Sequence, residues 1–398
     1  MAASTYQEVI SIARYSRVLL IVMDSVGIGA QPDSPAYGDA GAHTLKHALE
    51  GSDVELNTLR ALGLYNIPGA QLGPGAAHPR ARYGRMTEIS PGKDTTTGHW
   101  ELAGLPLKKP FPVFPNGFPA NVIDEFSRRT GRGVLGNEPA SGTEIIQRLG
   151  PEHLRTGKLI VYTSADSVFQ VAAHESIVPP AQLWEYCRIA RGLLTGDLCV
   201  GRVIARPFVG EPGAFTRTGN RRDFSAEMPG DTMLDLIVRA GQDVVAIGKI
   251  EDIFAHRGIT RSDHASGNPA CMASALAAFR QGYRGLEFVN LVDFDAMYGH
   301  RRDPAGYARA LGEFDRWLGA LLDELTDDDL LIITADHGCD PRHHGTDHTR
   351  EHVPLVIYSP GLEPGPLGTR TSFCDVAATV LDALGVPAAG LPGVSCIN

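Results

Sequence analysis

Five short apolar runs break off abruptly in polar residues. Val18–Met23 stops at Asp24, Leu159–Tyr162 at Thr163, Val244–Ile247 at Gly248, Phe288–Val292 at Asp293 and Leu330–Ile333 at Thr334. Apolarity that is continuous over so few residues predicts strands covered on both faces, as in a mostly parallel sheet. Between the runs the period changes. Tyr307, Leu311, Phe314, Leu318, Leu321 and Leu325 recur at three- and four-residue spacing and make one helical stripe. A second helix is predicted from Asp375 to Leu384, with Gly385 as its C-terminal stop. Strands alternating with helices predict a doubly wound α/β sheet. Such sheets bind ligands beyond the carboxyl ends of their strands, where Asp24, Asp295 and Asp336 fall.

One region interrupts the alternation. It opens with Pro106, Pro110, Pro112, Pro115 and Pro119 and closes in a Gly/Pro/Arg-rich stretch. Residues 107–226 are therefore expected to form a smaller inserted α+β domain, a cap, in a core built from residues 1–106 and 227–398. A length of 398 residues suits a core plus an insertion. No internal repeat or low-complexity tract is evident.

Composition narrows the class. With 43% hydrophobic and 21% charged residues, and no apolar run of about 18 residues, a membrane span is not expected. Met1–Arg17 shows no basic stretch followed by an apolar segment and a small-residue cleavage site, so a cytoplasmic protein is expected. The net charge of -10, without a Lys/Arg-rich run, gives no nucleic-acid surface, although a few cations inside a cleft would still hold phosphate. The six cysteines are scattered, with no C-x-x-C pair, and read as reduced, buried thiols.

Four segments carry the chemistry. Thr334-Ala-Asp336-His337-Gly338 is followed eleven residues after His337 by His348, an oxygen and imidazole set suited to zinc or manganese. Asp293-Phe-Asp295 with His300 sits just past another apolar run, and Asp293 there is a candidate to orient a ligand rather than be one. Asp24 closes the first run before Gly27 and Gly29; alone it would be an ordinary helix cap. Gly92-Lys-Asp-Thr95-Thr96-Thr97-Gly98-His99 places three hydroxyls at the opening of a helix, where backbone N–H groups favour an anion. Any of the three could be a nucleophile once a cation lowers its pKa, and a cap without chemistry is the alternative for this motif in isolation.

Together the segments MDSVGIG, GKDTTTGHWE, TSADSVFQVAAHE, FVGEPG, GKIEDIF, FVNLVDFDAMYGHRRD and TADHGCDP…GTDHTREHVP resemble the alkaline phosphatase superfamily, and within it the bacterial phosphopentomutases. The resemblance spans most of the chain and implies an alkaline-phosphatase-like core. It implies two divalent cations, one held by Asp24, Asp336 and His337, the other by Asp295, His300 and His348, with Thr95 between them as the residue that carries the phosphoryl group. Thr95 is preferred to Thr96 and Thr97 because related mutases place their nucleophile at the same distance before a Gly-His pair. The mixed Asp/His set leans to manganese. Ser164, Asp166 and Val168 would line the substrate side, and Arg206, Arg221 and Lys249 would take the distal phosphate, with arginine forks matching its oxygens. The implied reaction interconverts ribose or 2-deoxyribose 1-phosphate and 5-phosphate through a 1,5-bisphosphate, with a sugar bisphosphate as activator. The expected partner is a small sugar phosphate, with no nucleic acid or membrane, and a monomer is the default. Arg342-His343-His344 departs from the family pattern and puts two further imidazoles near the metal loop. A hydrolase or a phosphoglycerate mutase of the same superfamily competes with this assignment, as does a silent metal-binding protein.

Overall fold

The computed structural model describes residues 13–164 and 167–398. Chain contacts divide them into two compact units, one inserted in the other, with breaks between Lys109 and Pro110 and between Met228 and Pro229.

The larger unit is built on an eight-stranded sheet. Its order is Arg261–Asp263, Asp243–Ile247, Gly285–Leu291, Arg17–Met23, Asp329–Thr334, Val353–Tyr358, Arg82–Met86 and Gly365–Arg370. Four of the predicted runs are among these strands, and they pair with one another in parallel. Val353–Tyr358 alone runs against both of its neighbours. The central strands are buried along almost their whole length, which is why their sequences are unbroken Val, Leu and Ile rather than alternating. Helices flank the sheet: Asn268–Gln281 packs on Gly285–Leu291, Met233–Arg239 on Asp243–Ile247, and Cys374–Ala383 on Thr95–Leu102. The predicted stripe forms helix Pro304–Leu322, with Leu325 buried just past its end.

Register fixes the functional edge. Met23 pairs with Leu291 and Val22 with Thr334, so three parallel strands end at one level and release Asp24, Asp293–Asp295 and Asp336 side by side.

The inserted unit carries its own sheet, Val134–Pro139, Leu159–Thr163, Val168–His174, Arg202–Val209 and Thr216–Arg217, with Arg222–Ser225 pairing on Arg202–Val209. One face of this sheet buries Val161, Phe169, Val171, Val203 and Ala205 with helices Ala120–Thr130 and Pro180–Leu193. The other buries Ile160, Tyr162, Ala172 and Phe208 with helix Gly142–Thr156. Among the described residues no helix is long and apolar enough to cross a membrane.

Candidate metal centre

Each predicted ligand is delivered by a strand end or by the turn after it. Asp24 follows strand Arg17–Met23 directly, and Asp336 and His337 follow Asp329–Thr334. Asp295 and His300 come from a π-helical turn, Phe294–Gly299, in which the His300 amide donates to the Asp295 carbonyl at 3.1 Å. His348 closes the loop after Asp336, where Gly338 and Thr349 bridge to one another.

Two overlapping sets of donor atoms result. Asp295, His300 and His348 form one, with His300 Nε2 3.1 Å from His348 Nε2 and 3.3 Å from Asp295 Oδ2. Asp24, Asp295 and His337 form the other, and Asp336 Oδ2 lies 3.3 Å from His337 Nε2. Asp295 thus reaches both sets, whereas the resemblance divides the six residues three and three.

Three observations fit cations at this centre. Asp24 Oδ1 and Asp295 Oδ1 are buried and have no hydrogen-bond donor, a costly state for an anionic oxygen unless a positive charge faces it. The imidazoles are held with lone pairs inward: His300 Nδ1 lies 2.6 Å from the Thr346 carbonyl and His337 Nδ1 3.1 Å from that of Gly338, which places their protons there and leaves each Nε2 free to coordinate. Burial, with the Asp336 and Asp295 carboxylates beside it, pushes Asp24 up to about 8, the response of an acid lacking a counter-charge.

The threonine run opens helix Thr95–Leu102. Asp94 caps it, accepting from the Thr96 and Thr97 amides at 3.1 Å, and also binds the Thr97 hydroxyl. Thr95 Oγ1 instead lies 3.1 Å from His337 Nε2, against the metal cluster. Gly98 lets the helix come this close, because a Cβ there would strike the Asp336 backbone carbonyl. Lys93, which the sequence reading passed over, ties the start of this segment to Asp39 at 3.1 Å and to Asp347 in the metal loop at 3.2 Å.

The remaining sequence candidates are placed as follows. Lys249 is exposed after strand Asp243–Ile247, and its charge is felt by Asp24. Asp293 accepts the Asn268 amide at 2.7 Å and so anchors the start of helix Asn268–Gln281. His343 and His344 lie outside both donor sets. In the inserted unit Ser164 follows strand Leu159–Thr163, Val168 is buried at the start of the next strand, and Asp166 lies outside the described residues. Arg206 Nε donates to Gln170 at 3.1 Å; burial and the nearby Arg221 push its pKa down to about 10. Arg221 forks onto Asp223 at 2.6 and 2.7 Å. Arg217 and the Tyr162 hydroxyl, neither singled out by sequence, belong to the same basic group, and the Tyr162 hydroxyl is buried without a hydrogen-bond partner. No spacing rule would have found Tyr162, since it sits in an apolar run.

A family model described as the metalloenzyme superfamily matches residues 16–388. The chain is 55% identical over 373 residues to a phosphopentomutase of Caldanaerobacter subterraneus, covering 93% of this chain and 94% of that one. It is 53% identical over 386 residues to a phosphopentomutase of Deinococcus radiodurans, covering 96% and 99%. Among solved structures it is similar to a phosphoglycerate mutase of Leishmania mexicana, with a TM-score of 0.47, 14% identity and coverage of 96% and 97%. The chain belongs to the metalloenzyme superfamily. Within that class its family is the phosphopentomutases.

Proposed function

We propose that this chain is a phosphopentomutase that interconverts ribose or 2-deoxyribose 1-phosphate and 5-phosphate, with Thr95 carrying the phosphoryl group in transit. The observation that carries the reading is the set of donorless buried carboxylate oxygens gathered beside the Thr95 hydroxyl.

Asp24, Asp295, His300, Asp336, His337 and His348 would hold two divalent cations, with manganese favoured by the Asp/His mixture. Such ions neutralise phosphoryl oxygens and favour an in-line displacement. In the first half-reaction the free hydroxyl of the bound monophosphate bonds to phosphorus as the P–Oγ bond of Thr95 breaks. The proton lost by that hydroxyl is balanced by one gained at Thr95 Oγ1, and a 1,5-bisphosphate results. The second half repeats the step from the other end of the sugar, restoring phosphothreonine. Water takes no part, so phosphate is not released. Asp94 and Gly98 hold the helix that presents Thr95. Arg206, Arg221 and Lys249 remain our candidates for the second phosphate, Ser164, Asp166 and Val168 for the sugar, and a sugar bisphosphate for the activator that first loads Thr95.

The test is manganese-loaded protein, primed with ribose 1,5-bisphosphate and given ribose 5-phosphate. Ribose 1-phosphate should form with little inorganic phosphate, and intact-protein mass spectrometry should show one phosphoryl group that Thr95→Ala lacks. Dominant phosphate release would make the protein a phosphatase.

A further inference from the structure

Behind the metal-facing carboxylates lie two fully buried polar side chains with no assigned role, His99 and Asn290. His99 is on the helix that Thr95 opens, and Asn290 is near the end of strand Gly285–Leu291. His99 Nδ1 faces two acceptors, the Thr95 carbonyl at 2.9 Å and Asp336 Oδ2 at 3.0 Å, so this nitrogen carries a proton. His99 Nε2 faces the Asn290 amide nitrogen at 3.4 Å, where a neutral ring accepts from it. The same amide nitrogen donates to Asp24 Oδ2 at 2.9 Å, leaving Asp24 Oδ1 as the oxygen without a donor. The His99 ring is stacked on Phe288, with centroids 5.8 Å apart, and cannot swing freely.

We propose that His99 and Asn290 are positioning residues for phosphoryl transfer. They form one buried bridge that orients Asp24 toward its cation and ties the Thr95 backbone to the metal-binding strand ends. The proposal rests on the phosphopentomutase reading. Asn290 acts on the metal through Asp24. His99 acts on the nucleophile through the Thr95 carbonyl, and its Nε2 abuts the Asn290 amide nitrogen that donates to Asp24.

The two arms separate in experiment. Asn290→Leu keeps the branched skeleton and removes the donor; its manganese affinity, measured by calorimetric titration, should fall about 10- to 100-fold, the usual range for an outer-shell partner. His99→Phe keeps the ring on Phe288 and should lower kcat at saturating manganese with KM unchanged. His99→Asn, whose amide nitrogen falls where Nδ1 was, should recover much of that loss. Thermal melts establish that each variant is folded, and the His99 pair decides the matter if Asn290→Leu is not. Parent-like manganese affinity in a folded Asn290→Leu would overturn the Asn290 arm, and equal kcat in His99→Phe and the parent, or in His99→Phe and His99→Asn, would overturn the His99 arm. Failure of the parent itself to bind manganese or to become phosphorylated would instead overturn the functional reading.

Discussion

Glu287 sits in the middle of a sheet strand with its carboxylate fully buried, a place where an apolar residue would be ordinary. Burial pushes it up to about 8, against the smaller opposing pulls of Tyr283, Arg17 and Arg261. A carboxyl whose folded pKa lies above its unfolded value of 4.5 binds its proton more tightly when folded. Stability from this group is therefore complete below the unfolded pKa and is lost as pH rises toward 8, by about 1.4 kcal/mol per pH unit at most. Glu287→Gln cannot ionise. It should raise the melting temperature at pH 8 clearly more than at pH 5, as followed by circular dichroism; an equal shift at both pH values would show that Glu287 is not buried as a neutral acid. Nothing in the local sequence announces this residue, because a lone Glu in an apolar run has no pattern of its own. Asp24, Asp295 and Asp336 were legible for the opposite reason: each follows an apolar strand and stands near histidines or glycines.

Elements divide along the same line. Long periodic segments could be read directly: Val18–Met23 and Leu330–Ile333 became buried parallel strands, and the Tyr307 stripe became helix Pro304–Leu322. The turn that gathers Asp295 and His300 could not, because a π-turn has no periodic signature in six residues. Its consequence is geometric. In an α-helix residues advance about 100° each, so side chains five apart diverge by about 140°. The wider π-turn brings Asp295 and His300 to one side, within reach of His348. Removing Met297, which is 39% exposed, would leave the pair four apart, the spacing at which an α-turn also aligns them. Inserting one alanine after Met297 would place them six apart and separate them in either helix type. We expect the deletion to retain most of the bound manganese and the insertion to lose most of it, measured by elemental analysis of protein dialysed against the metal. Full metal content in the insertion variant would remove this turn from the site.

At the scale of the whole molecule, proline clustering suggested an insertion from residue 107, whereas contacts start the inserted unit at Pro110. The Leu107 amide is bound to the Ser90 hydroxyl at 3.0 Å, which keeps that residue with the larger unit. At the other end the Ala226 amide bonds to the Gly201 carbonyl at 2.9 Å, so the inserted unit runs on to Met228. Such ties depend on long-range partners and are invisible to composition. The inserted unit has two apolar clusters of its own, and Phe169 is central to one of them, with ring centroids 4.7 Å from Phe118 and 5.4 Å from Phe126. Phe169→Ala should cost about 3–5 kcal/mol of packing and cavity energy. Because all six candidate ligands belong to the larger unit, that loss should appear in calorimetry as an earlier transition of the inserted unit, with manganese still bound at temperatures between the two transitions. A single transition that releases the metal as it unfolds would mean that the two cores melt together, and that the inserted unit is held by more than its own apolar clusters.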